Sequence, residues 1–196
     1  MSSQSRPYRM TRRAALEAQT RLRITESAAA LHEQLGPVRT TISAIAEHAG
    51  VRRSTVYRHF PDEEALFDAC SSHWRAANPP PDLGGWRADC TAEALRELYD
   101  FYGRTHRMYT SLFRDEALVP IVKRRLAAFR AYLDAATDAL MRGRGLRSAA
   151  ARRARAALGH AVSFTTWRSL VQEQELDPED AIALMCRLVE SAGRAP

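Results

Sequence analysis

Residues 41–61 read TISAIAEHAGVRRSTVYRHFP and hold two short helical patterns separated by Gly50. In the first pattern the apolar residues recur at helical spacing and form one face: Ile42, Ile45, Ala46 and Ala49. The second pattern buries Val56 and Phe60, which lie four residues apart on one helix face. Pro61 ends it, because proline disfavours α geometry at the preceding residue. The stretch therefore predicts two short helices joined by a tight turn.

Helices are also predicted on both sides of this stretch. Upstream, a first helix ends at Gly36 and carries an apolar stripe: Ile24, Ala28, Leu31 and Leu35. Thr40 or Thr41 can cap the second helix, and Asp62 can cap a fourth that runs towards Trp74. Three short helices with a glycine turn before the third are what a DNA major-groove reader requires, although a small structural bundle shares that outline.

The surface chemistry of the third helix and the charge around it favour the DNA reader. The positions outside its core carry almost only hydrogen-bond donors: Arg53, Ser54, Thr55, Tyr57, Arg58 and His59. The first 60 residues hold ten arginines and four acids, whereas the remainder holds 19 basic and 19 acidic residues. The whole net charge of +6 therefore lies in the first 60 residues, as expected of a segment that faces a phosphate backbone.

The stretch 41–61 also resembles the signature of the TetR/AcrR family of transcriptional regulators, and the likeness runs from about Ile24 to Phe67. The resemblance implies a dimeric regulator, usually a repressor, in which each subunit inserts its third helix into one half of a palindromic operator. It implies base contacts by Ser43, Arg53, Ser54 and Thr55, and phosphate contacts by Thr41, Tyr57 and His59. With neighbouring arginines, the predicted DNA-binding residues are Thr41, Ser43, Arg52, Arg53, Ser54, Thr55, Tyr57, Arg58 and His59.

One position departs from the family pattern. The family commonly has a lysine where this sequence has Glu63, and that lysine touches a phosphate, which an acid would repel. Either the contact is lost, or Arg58 and the arginines of a basic N-terminal arm at residues 1–12 and just beyond it take its place. Those arginines are Arg6, Arg9, Arg12 and Arg13. The alternative for the arm is a disordered, solvated tail.

A breaker-rich segment separates the basic part of the chain from the rest. Residues 78–85 read NPPPDLGG, and such a composition marks a linker. We therefore predict an all-α chain with a helix-turn-helix DNA-binding domain at 1–61, a connecting helix at 62–77, and a ligand-binding and dimerisation domain at 78–196. Within the last domain, helices are predicted near 88–108, 110–117, 120–142, 148–174 and 178–192.

The C-terminal domain is rich in aromatic residues, which favours a pocket for a small-molecule effector, because aromatic side chains wall apolar ligand sites. The predicted pocket residues are Trp74, Tyr99, Tyr102, His106, Phe113, Phe129, Phe164 and Trp167. For each residue taken alone, packing in the core is the competing interpretation. No second histidine stands at metal-ligand spacing from His106, so we expect neither a metal nor a cofactor.

The last helix carries an apolar stripe along residues 181–192, which favours a homodimer. With a facing helix around Ala161, such a stripe from each subunit would form a four-helix interface, as the resemblance also implies. The predicted interface residues are Ala161, Leu184, Met185 and Leu188. The alternative is an intramolecular core.

Other function classes find little support in the sequence. It holds no dinucleotide-binding glycine motif, no P-loop, no nucleophile elbow and no metalloprotease motif, so we expect no enzyme. A ligand-independent architectural DNA-binding protein is the alternative function, but it leaves the aromatic residues without a role. No apolar stretch approaches the roughly 20 residues of a membrane span and no secretory signal is evident, so we expect a cytoplasmic protein.

Overall fold

The computed structural model describes residues 5–194, with side chains from residue 12 onwards. These residues are mostly helical and include no strand, which confirms the all-α class. The helices are α1 (Ser5–Leu35), α2 (Ile42–His48), α3 (Arg53–His59), α4 (Glu63–Ala77), α5 (Thr91–Asp115), α6 (Pro120–Met141), α7 (Ser148–Ala161), α8 (Phe164–Trp167) and α9 (Pro178–Gly193). Short 3₁₀ turns occupy Pro37–Arg39 and Ala88–Cys90, and a π-helical turn occupies Arg168–Glu173. Within this part of the chain, no helix has the length and apolar character needed to cross a membrane.

Packing divides the chain into two compact units. The first contains the chain up to Pro79 together with Arg107–Lys123, and the second contains Pro80–His106 and the chain from Arg124 onwards. The break at Pro79 falls in the breaker-rich segment 78–85, which follows the end of α4. The division predicted from the sequence is linear, whereas the first unit includes a distant stretch, because residues far apart in sequence pack together there.

The first unit is built around the helix-turn-helix. Apolar residues of α1 to α4 meet in one core: Ile24, Ala28, Leu31, Ile42, Ile45, Ala46, Val56, Phe60 and Leu66. The Thr41 hydroxyl accepts a hydrogen bond from the Ala44 amide at 3.1 Å, and the Asp62 carboxylate accepts one from the Ala65 amide at 2.7 Å. Both predicted caps are therefore formed. Gly50 has a φ of +64°, which allows the sharp turn between α2 and α3.

α1 extends well beyond its apolar stripe. It begins at Ser5, so residues 5–12 of the predicted arm are helical, while the side chains of Arg6 and Arg9 lie outside the described residues. From Arg12 to Arg23 nearly every side chain is exposed, and burial begins at Ile24. The packed part of α1 is therefore its second half only.

Two helices of the C-terminal half differ from the predicted pattern. The sequence predicts a break near residue 109, but α5 is continuous, because neither glycine nor proline occurs between Gly103 and Pro120. The single helix predicted at 148–174 is instead divided into α7, α8 and the π-helical turn. Ser163 begins α8, where its hydroxyl accepts a hydrogen bond from the Thr165 amide at 3.3 Å.

Tyrosines of α5 hold the break after α7. The Tyr99 hydroxyl donates to the Ala161 carbonyl at 3.1 Å, and the Tyr102 hydroxyl donates to the Val162 carbonyl at 2.5 Å. Carbonyls at the C-terminal end of a helix lack partners within that helix, so these bonds satisfy acceptors that the break exposes. Such bonds join residues about 60 positions apart and leave no local signal in the sequence.

α7 and α9 pack against each other in the second unit. Their buried faces consist of Ala154, Ala157, Leu158 and Ala161 on α7, and Ala181, Ile182, Met185 and Val189 on α9. Polar contacts fix both ends of α9. Arg96 of α5 binds Glu179 through two hydrogen bonds of 2.7 and 2.8 Å, and Arg153 donates to the Ala192 and Arg194 carbonyls.

Candidate nucleic-acid interface

The side chains predicted to bind DNA lie on α3 and at the start of α2. Those that are exposed are Thr41, Ser43, Arg52, Arg53, Ser54, Tyr57 and Arg58. Thr55 and His59 are half-buried, and Val56 faces the core with 1 % exposure. One face of α3 is therefore anchored in the core while the other presents donors to solvent.

Thr41 combines a structural role with a predicted contact. Its oxygen accepts the hydrogen bond from the Ala44 amide that caps α2. A threonine hydroxyl carries one proton as well as its acceptor sites, so the same group can still donate. Phosphate oxygens are acceptors, and the cap is therefore compatible with the predicted phosphate contact.

Arg53 lies against Tyr57, one helical turn later on α3. The Arg53 Nη2 atom donates to the Tyr57 hydroxyl at 3.3 Å, and the guanidinium carbon is 5.6 Å from the centre of the Tyr57 ring. The hydrogen bond with Tyr57 is the largest cause of a raised pKa at Arg53, and the nearby charge of Glu63 adds to it. The guanidinium is thus held along the exposed face of α3.

His59 is poorly placed to contact a phosphate. Its Nε2 atom is enclosed and has no hydrogen-bond partner among the described residues. Burial, followed by the positive charges of Arg58 and Arg21, lowers the pKa of His59 and favours the neutral form. The structure therefore does not offer this nitrogen to a phosphate as a charged donor.

Arg21 of α1 is a further residue at this site that the sequence did not single out. Its Nη1 atom donates to the His59 carbonyl at 2.5 Å, at the end of α3, and its guanidinium carbon lies 4.1 Å from the centre of the Phe60 ring. A cation is favourable at a helix C-terminus and over an aromatic face. Arg21 therefore fixes the end of α3 against α1.

Glu63 and the described N-terminal arginines are exposed. Arg13 pairs with Glu17 at 3.2 Å, but both side chains are largely in solvent, where such pairs contribute little stability. Arg12 is likewise exposed. Glu63 occupies the first turn of α4, where a negative charge suits the helix dipole. An acid at this position therefore has a local structural reason as well as an electrostatic effect on Arg53.

The end of α5 holds the turn that leads into α2. The Asp115 carboxylate accepts from the Val38 amide at 3.0 Å, and Arg114 Nη2 donates to the Leu35 carbonyl at 2.7 Å. Burial raises the pKa of the Asp115 carboxyl, but its hydrogen bonds with Arg114 and Val38 outweigh burial and lower it overall. Asp115 is buried and ionised, and it restrains the turn between α1 and α2 within the first unit.

The predicted pocket residues fall into two groups. In the first unit Trp74 meets the Tyr109 ring edge-on, with centroids 5.9 Å apart, and Phe113 lies 6.4 Å from Tyr109. The other predicted residues belong to the second unit: Tyr99, Tyr102, His106, Phe129, Phe164 and Trp167. Each group is held together by ring contacts of its own.

Tyr102 is the centre of the aromatic cluster in the second unit. Its ring centroid lies 5.4 to 6.3 Å from those of Tyr99, Phe101, Phe129, Phe164 and Trp167. Tyr102 is fully buried and its hydroxyl already binds the Val162 carbonyl, so packing in the core accounts for it. His106 is half-buried, with its ring 6.1 Å from Trp167, and is the member with access to solvent.

The predicted dimer residues divide into two pairs. Ala161 and Met185 are buried in the contact between α7 and α9 of the same chain, as the intramolecular alternative requires. Leu184 and Leu188 are 39 % and 38 % exposed and lie one turn apart on α9. α9 therefore packs one side on α7 and leaves an apolar pair on a neighbouring side.

The cysteines are free thiols, and Cys70 is buried in the first unit. Its Sγ atom donates to the Phe67 carbonyl at 3.2 Å and lies 3.5 Å from Nδ1 of His32. Within residues 5–194, no three side chains of His, Cys, Asp or Glu come together in a way that could hold a metal ion.

Comparison with solved structures finds similar folds over most of the chain. The multidrug binding protein EbrR, complexed with imidazole, is 23% identical over 91% of this chain and 92% of its own, with a TM-score of 0.55. A Clostridium perfringens protein described as a fatty acid metabolism regulator is 14% identical over 89% and 99%, with a TM-score of 0.57. A TetR transcriptional regulator from Rhodococcus sp. RHA1 is 22% identical over 89% and 96%, with a TM-score of 0.43. At these identities the first two similarities show the fold alone. A search of curated proteins found no match to the chain.

A helix-turn-helix whose third helix presents an exposed row of donors has the arrangement with which DNA-binding proteins enter the major groove. Residues 24–70 match the family described as "Bacterial regulatory proteins, tetR family". The match covers the packed part of α1, all of α2 and α3, and the first half of α4. Residues 24–70 therefore carry the DNA-binding domain of the TetR family of bacterial regulatory proteins.

Proposed function

We propose that the chain is a repressor that binds palindromic operator DNA as a homodimer and is released by a small-molecule effector. The observation that carries this proposal is the exposed face of α3, whose side chains are almost all hydrogen-bond donors. One α3 from each subunit would enter the major groove of each half-site, about 34–36 Å apart. In functional terms residues 1–61 would read DNA, 62–77 would connect, and 78–196 would bind the effector and the second subunit.

The contacts with DNA would be of two kinds, because base edges carry the sequence information while phosphates fix the position of the protein. Base edges would be met by Ser43, Arg53, Ser54 and Thr55. Phosphates would be met by Thr41, Arg52, Tyr57 and Arg58, and by exposed arginines near the start of α1. His59 would contribute only if its ring turned to expose a nitrogen, since its Nε2 atom is enclosed.

Arg53→Ala is expected to weaken operator binding by about 1–3 kcal/mol and to relax the preference at one base pair of each half-site. A guanidinium can donate two hydrogen bonds to one guanine, and alanine cannot replace them. Both proteins would select duplexes from a random pool, and the selected duplex would then be titrated. Arg75→Ala removes an exposed arginine outside the interface and serves as the matched control. Failure of the unaltered protein to enrich any sequence would contradict the proposed function.

Glu63→Lys is expected to tighten operator binding and to steepen its dependence on salt by up to about one unit of log–log slope. The substitution replaces an exposed acid at the start of α4 with the cation that the family commonly places there. The affinity for the selected duplex would be measured at several salt concentrations, with Glu64→Lys as the control on the next residue. An unchanged slope would show that position 63 does not face a phosphate.

The aromatic residues support an effector site in the C-terminal domain. The proposed pocket draws on the aromatic group of the second unit: Tyr99, Tyr102, His106, Phe129, Phe164 and Trp167. The description of EbrR as a multidrug binding protein supports a small-molecule ligand. Titration of the tryptophan fluorescence with a compound library would test for binding. Because coupling is reciprocal, a releasing ligand must bind the DNA complex more weakly than the free protein. A ligand-independent architectural DNA-binding protein would show no saturable response.

The proposed function also specifies the partners of the chain and its location. The partners are double-stranded operator DNA, the effector and a second copy of the chain, and the interface between copies centres on Leu184 and Leu188 of α9. Catalysis and cofactors have no part in it. A cytoplasmic location is included because a bacterial operator is found there.

A further inference from the structure

The contact between Arg53 and Tyr57 gives Tyr57 a role beyond that of a phosphate contact. Both side chains are exposed on α3, with Arg53 Nη2 at 3.3 Å from the Tyr57 hydroxyl and the guanidinium carbon at 5.6 Å from the ring centre. We propose that Tyr57 is a positioning residue for Arg53 and so helps to determine which base pair the protein prefers. This inference rests on the proposed function, since it requires a DNA sequence that α3 reads.

The spacing of the two residues explains how the positioning works. Residues four apart on a helix lie on the same side, so the Tyr57 ring forms a surface beside the Arg53 side chain. A guanidinium has five N–H donors, and Tyr57 takes one of them. Enough donors remain for the two bonds that guanine O6 and N7 accept. The contact therefore restrains the group without consuming its capacity to read a base.

Restraint matters because of the flexibility of arginine. A free arginine side chain has many rotamers, and fixing it in one geometry on binding costs conformational entropy. A side chain that is already held near one geometry loses less on binding. A wrong base pair then cannot be accommodated by moving the guanidinium freely, so the same restraint favours one base pair over the others.

Glu63 adds an electrostatic restraint to the same group. The pKa of Arg53 is raised first by the hydrogen bond with Tyr57 and also by the charge of Glu63. The position at which the family commonly has lysine therefore carries a charge that attracts Arg53 in this chain. Tyr57 remains the principal partner, because it makes the direct contacts.

The test is a double-mutant cycle that measures base discrimination. Tyr57→Phe removes the hydroxyl, Tyr57→Ala removes the ring as well, and each is made with and without Arg53→Ala. The quantity measured is the ratio of affinities for the selected duplex and for a duplex altered at the base pair assigned to Arg53. The ratio is expected to fall roughly two- to fivefold in Tyr57→Phe and further in Tyr57→Ala. In the Arg53→Ala background neither change should alter the ratio.

A pure phosphate contact gives a different result. Tyr57→Phe would then weaken both duplexes equally, in either background, and that outcome would overturn the inference while leaving the proposed function intact. Arg58→Ala is the control on the same exposed helix and is expected to weaken both duplexes equally. Absence of any sequence preference in the unaltered protein would overturn the proposed function and this inference together. Circular dichroism of each variant would verify that the fold is kept.

Discussion

Leu184→Glu and Leu188→Glu are each expected to convert the proposed homodimer to monomers and to weaken operator binding by about 10²- to 10⁴-fold. Both leucines are more than a third exposed in the single chain, one turn apart on α9. Covering this apolar pair with a second copy is favourable, because it removes apolar surface from water. A carboxylate buried there without a partner is strongly unfavourable. Under the proposed function, operator affinity would depend on the dimer, because two linked recognition helices bind far more tightly than one.

The measurements are the mass in solution and the affinity for the selected duplex. Ala183→Glu places the same charge on a different, exposed side of α9 and is the matched control, expected to stay dimeric. Leu184→Ala combined with Leu188→Ala is a milder second variant, for the case in which the acidic variants do not fold. A folded monomer that keeps the full operator affinity would contradict this prediction.

The helix-turn-helix and the start of α4 in the first unit could largely be predicted from the sequence, because the residues that determine them act locally. Thr41 and Asp62 cap helices a few residues away, Gly50 permits one turn, and Pro61 ends one helix. Each of these signals acts within about four residues, which is the range over which helix capping and proline effects operate. Their order along the chain therefore sufficed to place α2, α3 and α4.

The contacts within this unit that join residues far apart in sequence could not be predicted in the same way. Arg21 binds the His59 carbonyl 38 residues later, and Asp115 binds the Val38 amide 77 residues earlier. Nothing distinguishes Arg21 in sequence from the other arginines of the same segment. The half-burial of His59 likewise depends on neighbours brought by the fold, so its predicted exposure as a donor did not follow from its place on α3.

The C-terminal half shows the same limit more strongly. Periodicity located α9 closely, but the predicted interface included Ala161 and Met185, which are buried within one chain. A stripe of apolar residues shows that a helix face is covered and does not show whether its own chain or another covers it. The glycine near the break, Gly159, lies inside α7 and does not end it, and the tyrosine hydroxyls of α5 stabilise the break after Ala161 through tertiary contacts.

Acid is expected to destabilise the first unit through His32. Burial is the main reason why the pKa of His32 is lowered from 6.5 to about 4, and the charge of Asp115 opposes the shift. The ring lies 5.0 Å from that of Phe67, and Nδ1 is 3.5 Å from the Cys70 thiol, so the folded environment suits a neutral imidazole. In the unfolded chain the group is in water and binds a proton near pH 6.5.

The sign and size of the effect follow from this difference. Between pH 6.5 and 4 the unfolded state binds more protons than the folded state, so the free energy of unfolding falls as the pH falls. The contribution is complete above about pH 6.5 and is lost by about pH 4, which amounts to about 3 kcal/mol. That loss is a large fraction of the stability of a typical domain. DNA binding should therefore be lost in acid because the first unit unfolds.

His32→Phe is expected to remove most of this pH dependence, because phenylalanine keeps a ring beside Phe67 and cannot be protonated. Denaturant unfolding curves at pH 7, 5.5 and 4 would give the free energies for both proteins. His48→Gln, on the exposed side of α2, is the control and should keep the pH profile of the unaltered chain. His32→Phe loses the contact with the Cys70 thiol and so starts from a lower stability at pH 7. Its free energy of unfolding should nevertheless change less between pH 7 and 4 than that of the unaltered chain. An equally steep loss between pH 7 and 4 in His32→Phe would assign the acid sensitivity to groups other than His32. Asp115 would act at lower pH, because its folded pKa lies below its ordinary value and its contribution is lost only as the pH falls through that range.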